Sequence, residues 1–296
     1  MNQAVKNPDI KSILKGITIP SPPQIIVDLQ LEMSNSNPDI NEMANLISND
    51  AGLAGAVLKT INSPFYGGGG KVSSISNAVM MLGMNTIVDI VNTLCLRNSI
   101  KEEEMSENLY ATLIRFWDSA ADIAKVCSML GQRLKISPLD HIYSLGLFHN
   151  VGITLLVNKH EDYLDTIRTS YSQNKKRIVD IENEKYGSNH AVIGYYVARA
   201  WKLDEVLAQH IAQHHNLEIF SDDAQIDPQK YRLLAVLKIA EHIVGLYRIL
   251  GNQAEDLEWR SIRENVLLCA GLSEYDLEDI KQQALEYGFG QQQYFR

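Results

Sequence analysis

A chain of 296 residues with 45% apolar content can bury a substantial core, which excludes disorder as the default state. Its 27 Lys and Arg against 36 Asp and Glu give a formal charge of -9, which argues against a nucleic-acid binder that works by neutralising phosphates. Three widely spaced cysteines, Cys95, Cys127 and Cys269, form no CxxC pair and are expected to be free thiols in a reducing compartment.

Met1 to Lys15 lacks the apolar segment of a signal peptide. Pro22 and Pro23 suit the first turn of a helix running to about Met33. Asp39 to Ser48 and Asp50 to Ile61 are expected helices, each opened by an aspartate able to cap the first-turn amides. Asn62 to Gly70 breaks the helical pattern and is expected to be a surface loop. It is not a phosphate-binding loop, because Val72 follows Lys71 and Phe65 stands where a glycine is required. Helices over Ser76 to Leu82 and Asn85 to Arg97 follow. The longest apolar stretch, Ala78 to Leu96, is interrupted by Asn85, Asp89 and Asn92, each costly in hydrocarbon. No membrane span is therefore expected, and the protein is expected in the cytoplasm.

The charged link Lys101 to Glu104 suggests a boundary between an N-terminal helical subdomain, residues 1–105, and a second helical unit with a C-terminal extension, residues 106–296. In that second part the periodicity predicts helices over Glu107 to Leu134, Pro138 to Val157, Tyr163 to Ser172, Ile178 to Tyr186, Asn189 to Trp201, Asp204 to His215, Gln229 to Leu250, Ser261 to Ala270 and Glu274 to Tyr287. Ser221 to Pro228 and Gly288 to Arg296 are expected to be irregular. No stretch alternates as a strand does, so the predicted fold class is all-α.

Several polar residues fall on apolar helical stripes. His149 shares a face with Leu145, Gly146, Gly152 and Ile153, with Asn150 beside it. His190 groups with Ile193, Gly194, Val197 and Trp201. His214 groups with Leu207 and Ile211, with His215 to one side, and Glu241 groups with Leu234, Leu237 and Val244. Asp118 is flanked by apolar residues on one side and charged ones on the other. Any one such histidine is most simply a core residue bonded to a backbone carbonyl. Together, a carboxylate and several imidazoles facing one interior need partners, and mutual hydrogen bonds or a bound cation would each supply them. Imidazole and carboxylate donors suit Fe, Mn, Ni or Zn.

These residues sit within motifs that resemble the HDOD family, a branch of the HD metal-phosphohydrolase superfamily found in bacterial signalling proteins. Ile19-Pro20-Ser21-Pro22-Pro23, Leu46-Ile47-Ser48-Asn49-Asp50 with Leu53-Ala54, and Ile61-Asn62-Ser63-Pro64-Phe65-Tyr66-Gly67 resemble its N-terminal segments. Leu147-Phe148-His149-Asn150-Val151-Gly152 resembles the family's LLHDIG, His190-Ala191-Val192-Ile193-Gly194 its HAEVG, and His214-His215 its HH. The motifs run in family order over residues 19–215. The resemblance implies a multi-helical HD-like bundle.

It further implies a metal site drawn from His149, His190, His214, His215, Asp118 and Glu241, altered at two places. Asp118 stands near where the first histidine is expected, and Asn150 replaces the aspartate that should bridge two metals. A neutral amide cannot hold two cations or lower the pKa of a bridging water. The expectation is therefore a non-catalytic signal-transduction module acting through contacts with signalling proteins, with no cofactor required and a single divalent Fe, Mn, Ni or Zn allowed for. The alternative is a metal-dependent phosphohydrolase or cyclic-nucleotide phosphodiesterase, and a nucleotide or anion ligand without chemistry is a third reading.

Overall fold

The computed structural model describes residues 14–66, 72–98, 106–137, 139–173, 175–220 and 228–289. The expected glycine loop over Gly67 to Gly70, the link Lys101 to Glu104, most of the segment 221–228 and residues 290–296 lie outside these, as does the segment that carries the expected boundary at 105. Among the described residues the regular elements are all helices, with no strand, as the all-α reading requires. One apolar core runs from Ile17 to Phe289.

Five helices form the N-terminal part: α1 (Gln24–Met33), α2 (Ile40–Ser48), α3 (Ala51–Ile61), α4 (Ile75–Leu82) and α5 (Met84–Asn98). Asp39 caps α2 through the Asn41 amide, and Asp50 caps α3 through Gly52 and Leu53, so both expected caps form. The prolines lie just outside α1 rather than inside it. Pro23 is the N-cap, and its carbonyl accepts from Ile26 and Val27. Helices α4 and α5 are bent by 116° at Gly83, and no single described helix is long and apolar enough to cross a membrane.

The rest comprises α6 (Glu107–Arg133), α7 (Leu139–Phe148), α8 (Gly152–Lys159), α9 (Tyr163–Tyr171), α10 (Ile178–Tyr186), α11 (His190–Ala200), α12 (Glu205–Gln213), α13 (Pro228–Val244), α14 (Leu246–Ile249), α15 (Leu257–Ala270) and α16 (Glu274–Glu286), with a 3-10 turn at Leu217–Phe220. Long α6 packs along α7 because Gly146 lets the backbones meet. A Cβ there would lie 2.7 Å from the Ala124 Cα. The two ends of the chain's first two thirds are tied at Trp201, whose indole donates to the Pro20 carbonyl at 2.8 Å while its own carbonyl accepts from Gln30.

Three expected helices differ in a way that shapes the site. Pro138 to Val157 is two helices, α7 and α8, broken at His149 to Val151. Gln229 to Leu250 is interrupted by Gly245, whose φ of +82° ends α13 in a left-handed turn. The helix expected from Ser261 begins at Leu257, because Asp256 caps it through the Trp259 amide.

Candidate functional site

The break after α7 builds the site. Helix α8 starts at Gly152, where a Cβ would lie 2.1 Å from the His190 carbonyl oxygen, so only glycine lets α8 lie against the start of α11. That crossing puts His149 and Asn150 beside α11 and α12. His149 donates from Nδ1 to the Gly146 carbonyl at 2.9 Å, which leaves Nε2 facing inward, 2.8 Å from the Asn150 amide nitrogen and 3.2 Å from Glu241 Oε1. Asn150 spans the gap, its Oδ1 lying 3.1 Å from His214 Nε2.

His190 is held by Glu182, a fully buried acid on α10 that the sequence did not single out. The carboxylate accepts from the His190 ring Nδ1 at 2.8 Å and from its backbone amide at 3.0 Å, and it also accepts from the Tyr163 hydroxyl. His214 donates from Nδ1 to the Ile211 carbonyl at 2.6 Å. These bonds fix both tautomers, so His190 Nε2 and His214 Nε2 present lone pairs to each other 3.2 Å apart. Two such nitrogens repel unless a proton or a cation lies between them.

The C-terminal extension closes the other side. Lys238 on α13 is buried, with Nζ 2.9 Å from Glu241 Oε2 and 2.8 Å from Glu258 Oε1 on α15. Glu258 also lies 3.3 Å from His215 Nδ1. Burial alone would raise the Glu241 carboxyl, but the Lys238 ammonium and then His149 outweigh it and hold the group well below the usual carboxylate range. Burial alone would likewise lower Lys238, and the two carboxylates reverse this. Burial, then the positive charge of neighbouring groups, drives His214 and His215 well below the ordinary imidazole value, so both are neutral donors.

His149, His190, His214, His215 and Glu241 are thus brought together. Asp118 is not. Its half-exposed carboxylate faces Arg97 at 3.6 Å and lines a separate cavity with Lys59, Trp117 and Lys125, which contains none of the four histidines and no Glu241. Three further members of the cluster, Glu182, Lys238 and Glu258, were not among the expected site residues. Glu182 falls on the face of Ile178, Val179 and Tyr186, a stripe outside the expected set, Lys238 lies one helical turn before Glu241, and Glu258 precedes Ser261, where the periodicity sets the start of that helix.

The residues present fit one divalent cation. One ligand atom each from His190, His214 and His215 lies within 4.8 Å of the others. Formally, three carboxylates and one ammonium leave two negative charges around them, which a single divalent ion would balance. An ion bound there would polarise a coordinated oxygen. Access is narrow, however. The cluster meets a cavity of about 20 Å³ beside Tyr171, Lys238 and Glu241, and a second of about 70 Å³ beside Tyr171, Arg177 and Glu258. Both fall far below the roughly 300 Å³ at which small-molecule pockets begin.

An all-α bundle with a buried histidine and carboxylate cluster defines an HD-like class of fold, and the comparisons agree. The HDOD domain profile matches residues 19–217, and the chain belongs to that family. An uncharacterized protein of Treponema pallidum is 25% identical over 202 residues, 67% of this chain, and this chain spans only 38% of that protein's length. A Shewanella amazonensis structure bearing the provisional name of metal-dependent phosphohydrolase superposes with a TM-score of 0.66 at 18% identity, covering 94% of this chain and 93% of its own. A Marinobacter aquaeolei structure provisionally named a signal transduction protein gives 0.61 at 16% identity over 92% of this chain and 58% of its own. At these identities the structures establish the fold.

Proposed function

We propose that this chain is a non-catalytic HDOD signal-transduction module that acts through contacts with signalling proteins, its phosphohydrolase-like site being vestigial. The observation that carries this reading is Lys238, whose ammonium occupies Glu241, the one carboxylate of the expected metal site that joins the histidines, and neutralises Glu258 beside it. Asn150 supplies no charge in compensation, since its side chain is a neutral amide, whose nitrogen lies 2.8 Å from His149 Nε2. The small cavities beside the cluster add support, because a nucleotide cannot enter them without rearrangement. The division into 1–105 and 106–296 and a cytoplasmic location belong to the same proposal.

A second reading rests on the three imidazoles. With one Fe, Mn, Ni or Zn ion at His190, His214 and His215, the chain would be a metal-dependent phosphohydrolase or phosphodiesterase. Turnover separates the two. The purified chain, stripped of metal and resupplied with each of the four ions, is assayed on cyclic dinucleotides and nucleoside phosphates. Background rates are expected in every case, together with recovery of a protein partner by reciprocal capture. Robust hydrolysis that His149→Ala abolishes would establish the second reading instead.

A further inference from the structure

The groove between α1, α5, α7 and the turn before α12 has a volume of about 590 Å³, within the range of small-molecule sites, and shares no lining residue with the histidine cluster. Its walls are apolar, from Val27, Leu31, Val88 and Leu207. Its floor is not.

Asp89 and Asn92, one turn apart on α5, both line the groove although 8% and 0% exposed. Asp89 accepts from the Ser144 hydroxyl on α7. Asn92 makes no side-chain hydrogen bond with the described residues through either Oδ1 or Nδ2. A buried amide left this way forfeits its full desolvation cost, which an interior residue among apolar neighbours does not ordinarily retain. Asp140 and Asp204 stand at the rim, the first accepting from Asn85 and the second 3.6 Å from His141, and Lys202 is the lysine on the lining. Three carboxyl groups against one ammonium favour a positive guest.

We propose that this groove is a binding site for a small organic cation with an apolar body, an amidinium or guanidinium. The planar cation would donate in parallel to the Asp89 carboxylate and to Asn92 Oδ1, and its apolar part would lie on Val27, Leu31, Val88 and Leu207. Burial, partly offset by Ser144 and reinforced by Asp140, pushes the Asp89 carboxyl up to about 7. Below that pH a cationic guest therefore displaces a proton as it binds, with Asp140, Asp204, Lys202 and His141 as the other ionisable groups facing the groove.

The test is calorimetric titration of the full chain with benzamidine, with uncharged benzamide as the isosteric control. Saturable one-to-one binding is expected for benzamidine, with benzamide weaker by about tenfold or more, the ratio set by one charge-assisted hydrogen bond. Asp89→Asn should cost a similar factor, and Asn92→Leu should weaken binding too, while His214→Ala leaves it unchanged. Titration of the unaltered protein in two buffers of different ionisation enthalpy should show proton release below neutral pH, which requires no variant to fold. Equal affinity for the two probes, no saturable binding, or full affinity in Asp89→Asn with no proton release would each overturn the proposal.

Discussion

The Lys238 ammonium lies 2.9 Å from the Glu241 carboxylate, both groups buried, and Glu258 completes the pair as a triad. Removing the ammonium leaves two carboxylates without their cation beside four buried imidazoles. Lys238→Met is expected to destabilise the protein by about 3–5 kcal/mol, the cost of breaking a buried pair. Urea denaturation measures it. Adding Zn or Mn should recover much of the loss in Lys238→Met and little in the parent, because the ion then replaces the missing charge. Equal metal effects on both proteins would show that Lys238 does not compete with a cation.

Asn150→Asp restores a carboxylate between His149 and His214. Without metal the added buried charge should cost at least roughly 2 kcal/mol, since no donor besides the flanking imidazoles reaches it. Divalent-metal content after purification, read by elemental analysis, should rise relative to the parent. A gain in stability without metal would show that the interior already holds excess positive charge.

Glu182→Gln removes the charge that accepts from Tyr163, the His190 ring and the His190 amide at once. An amide also presents two hydrogens to a site that needs only acceptors. A loss of about 2–4 kcal/mol is expected in chemical denaturation. Glu182→Gln within about 0.5 kcal/mol of the parent, the spread of an ordinary surface change, would mean that this clamp is not formed.

Two glycines make opposite predictions. At Gly152 an added Cβ meets the His190 carbonyl at 2.1 Å, so Gly152→Ala should cost about 3 kcal/mol or more and separate α8 from α11. Gly55, inside α3, has nothing within 4 Å of a Cβ, and Gly55→Ala should stabilise by about 0.5–1 kcal/mol through helix propensity. Thermal melts of both variants check the contrast.

Asp89 sets a pH dependence. Its folded-state pKa of about 7 lies above the unfolded value near 3.9. The stability it contributes is complete below the unfolded value and is lost as pH rises through about 7. Asp89→Asn should therefore gain on the parent between about pH 4 and pH 8, by up to roughly 4 kcal/mol, because each tenfold difference in proton affinity between the folded and unfolded chain is worth about 1.4 kcal/mol. A difference between the two melts that does not change with pH would contradict this.

Much of this was legible in the chain itself. The helical periodicity, the caps at Asp39 and Asp50, and the inward stripes of His149, His190, His214 and Glu241 are local properties, set by spacing along one helix, and the structure reproduces them. The HDOD motifs likewise lie in short contiguous runs. Asp118 misled because the spacing left its face ambiguous, flanked by apolar residues on one side and charged ones on the other, and only the folded chain sets it beside Arg97, apart from the histidines.

The sequence by itself determined the inward face wherever an apolar stripe is unambiguous, as it is for His149, His190, His214 and Glu241, since a helix turning about 100° per residue sorts its side chains without reference to anything else. The tertiary structure alone decided which of those inward residues meet. Glu182 reaches His190 across the turn between α10 and α11, Lys238 reaches Glu258 from another helix, and Gly152 admits α8 to the His190 backbone. Distances of that kind depend on how helices cross, which is settled by the fit of one surface against another and leaves no periodic trace in either stretch of sequence.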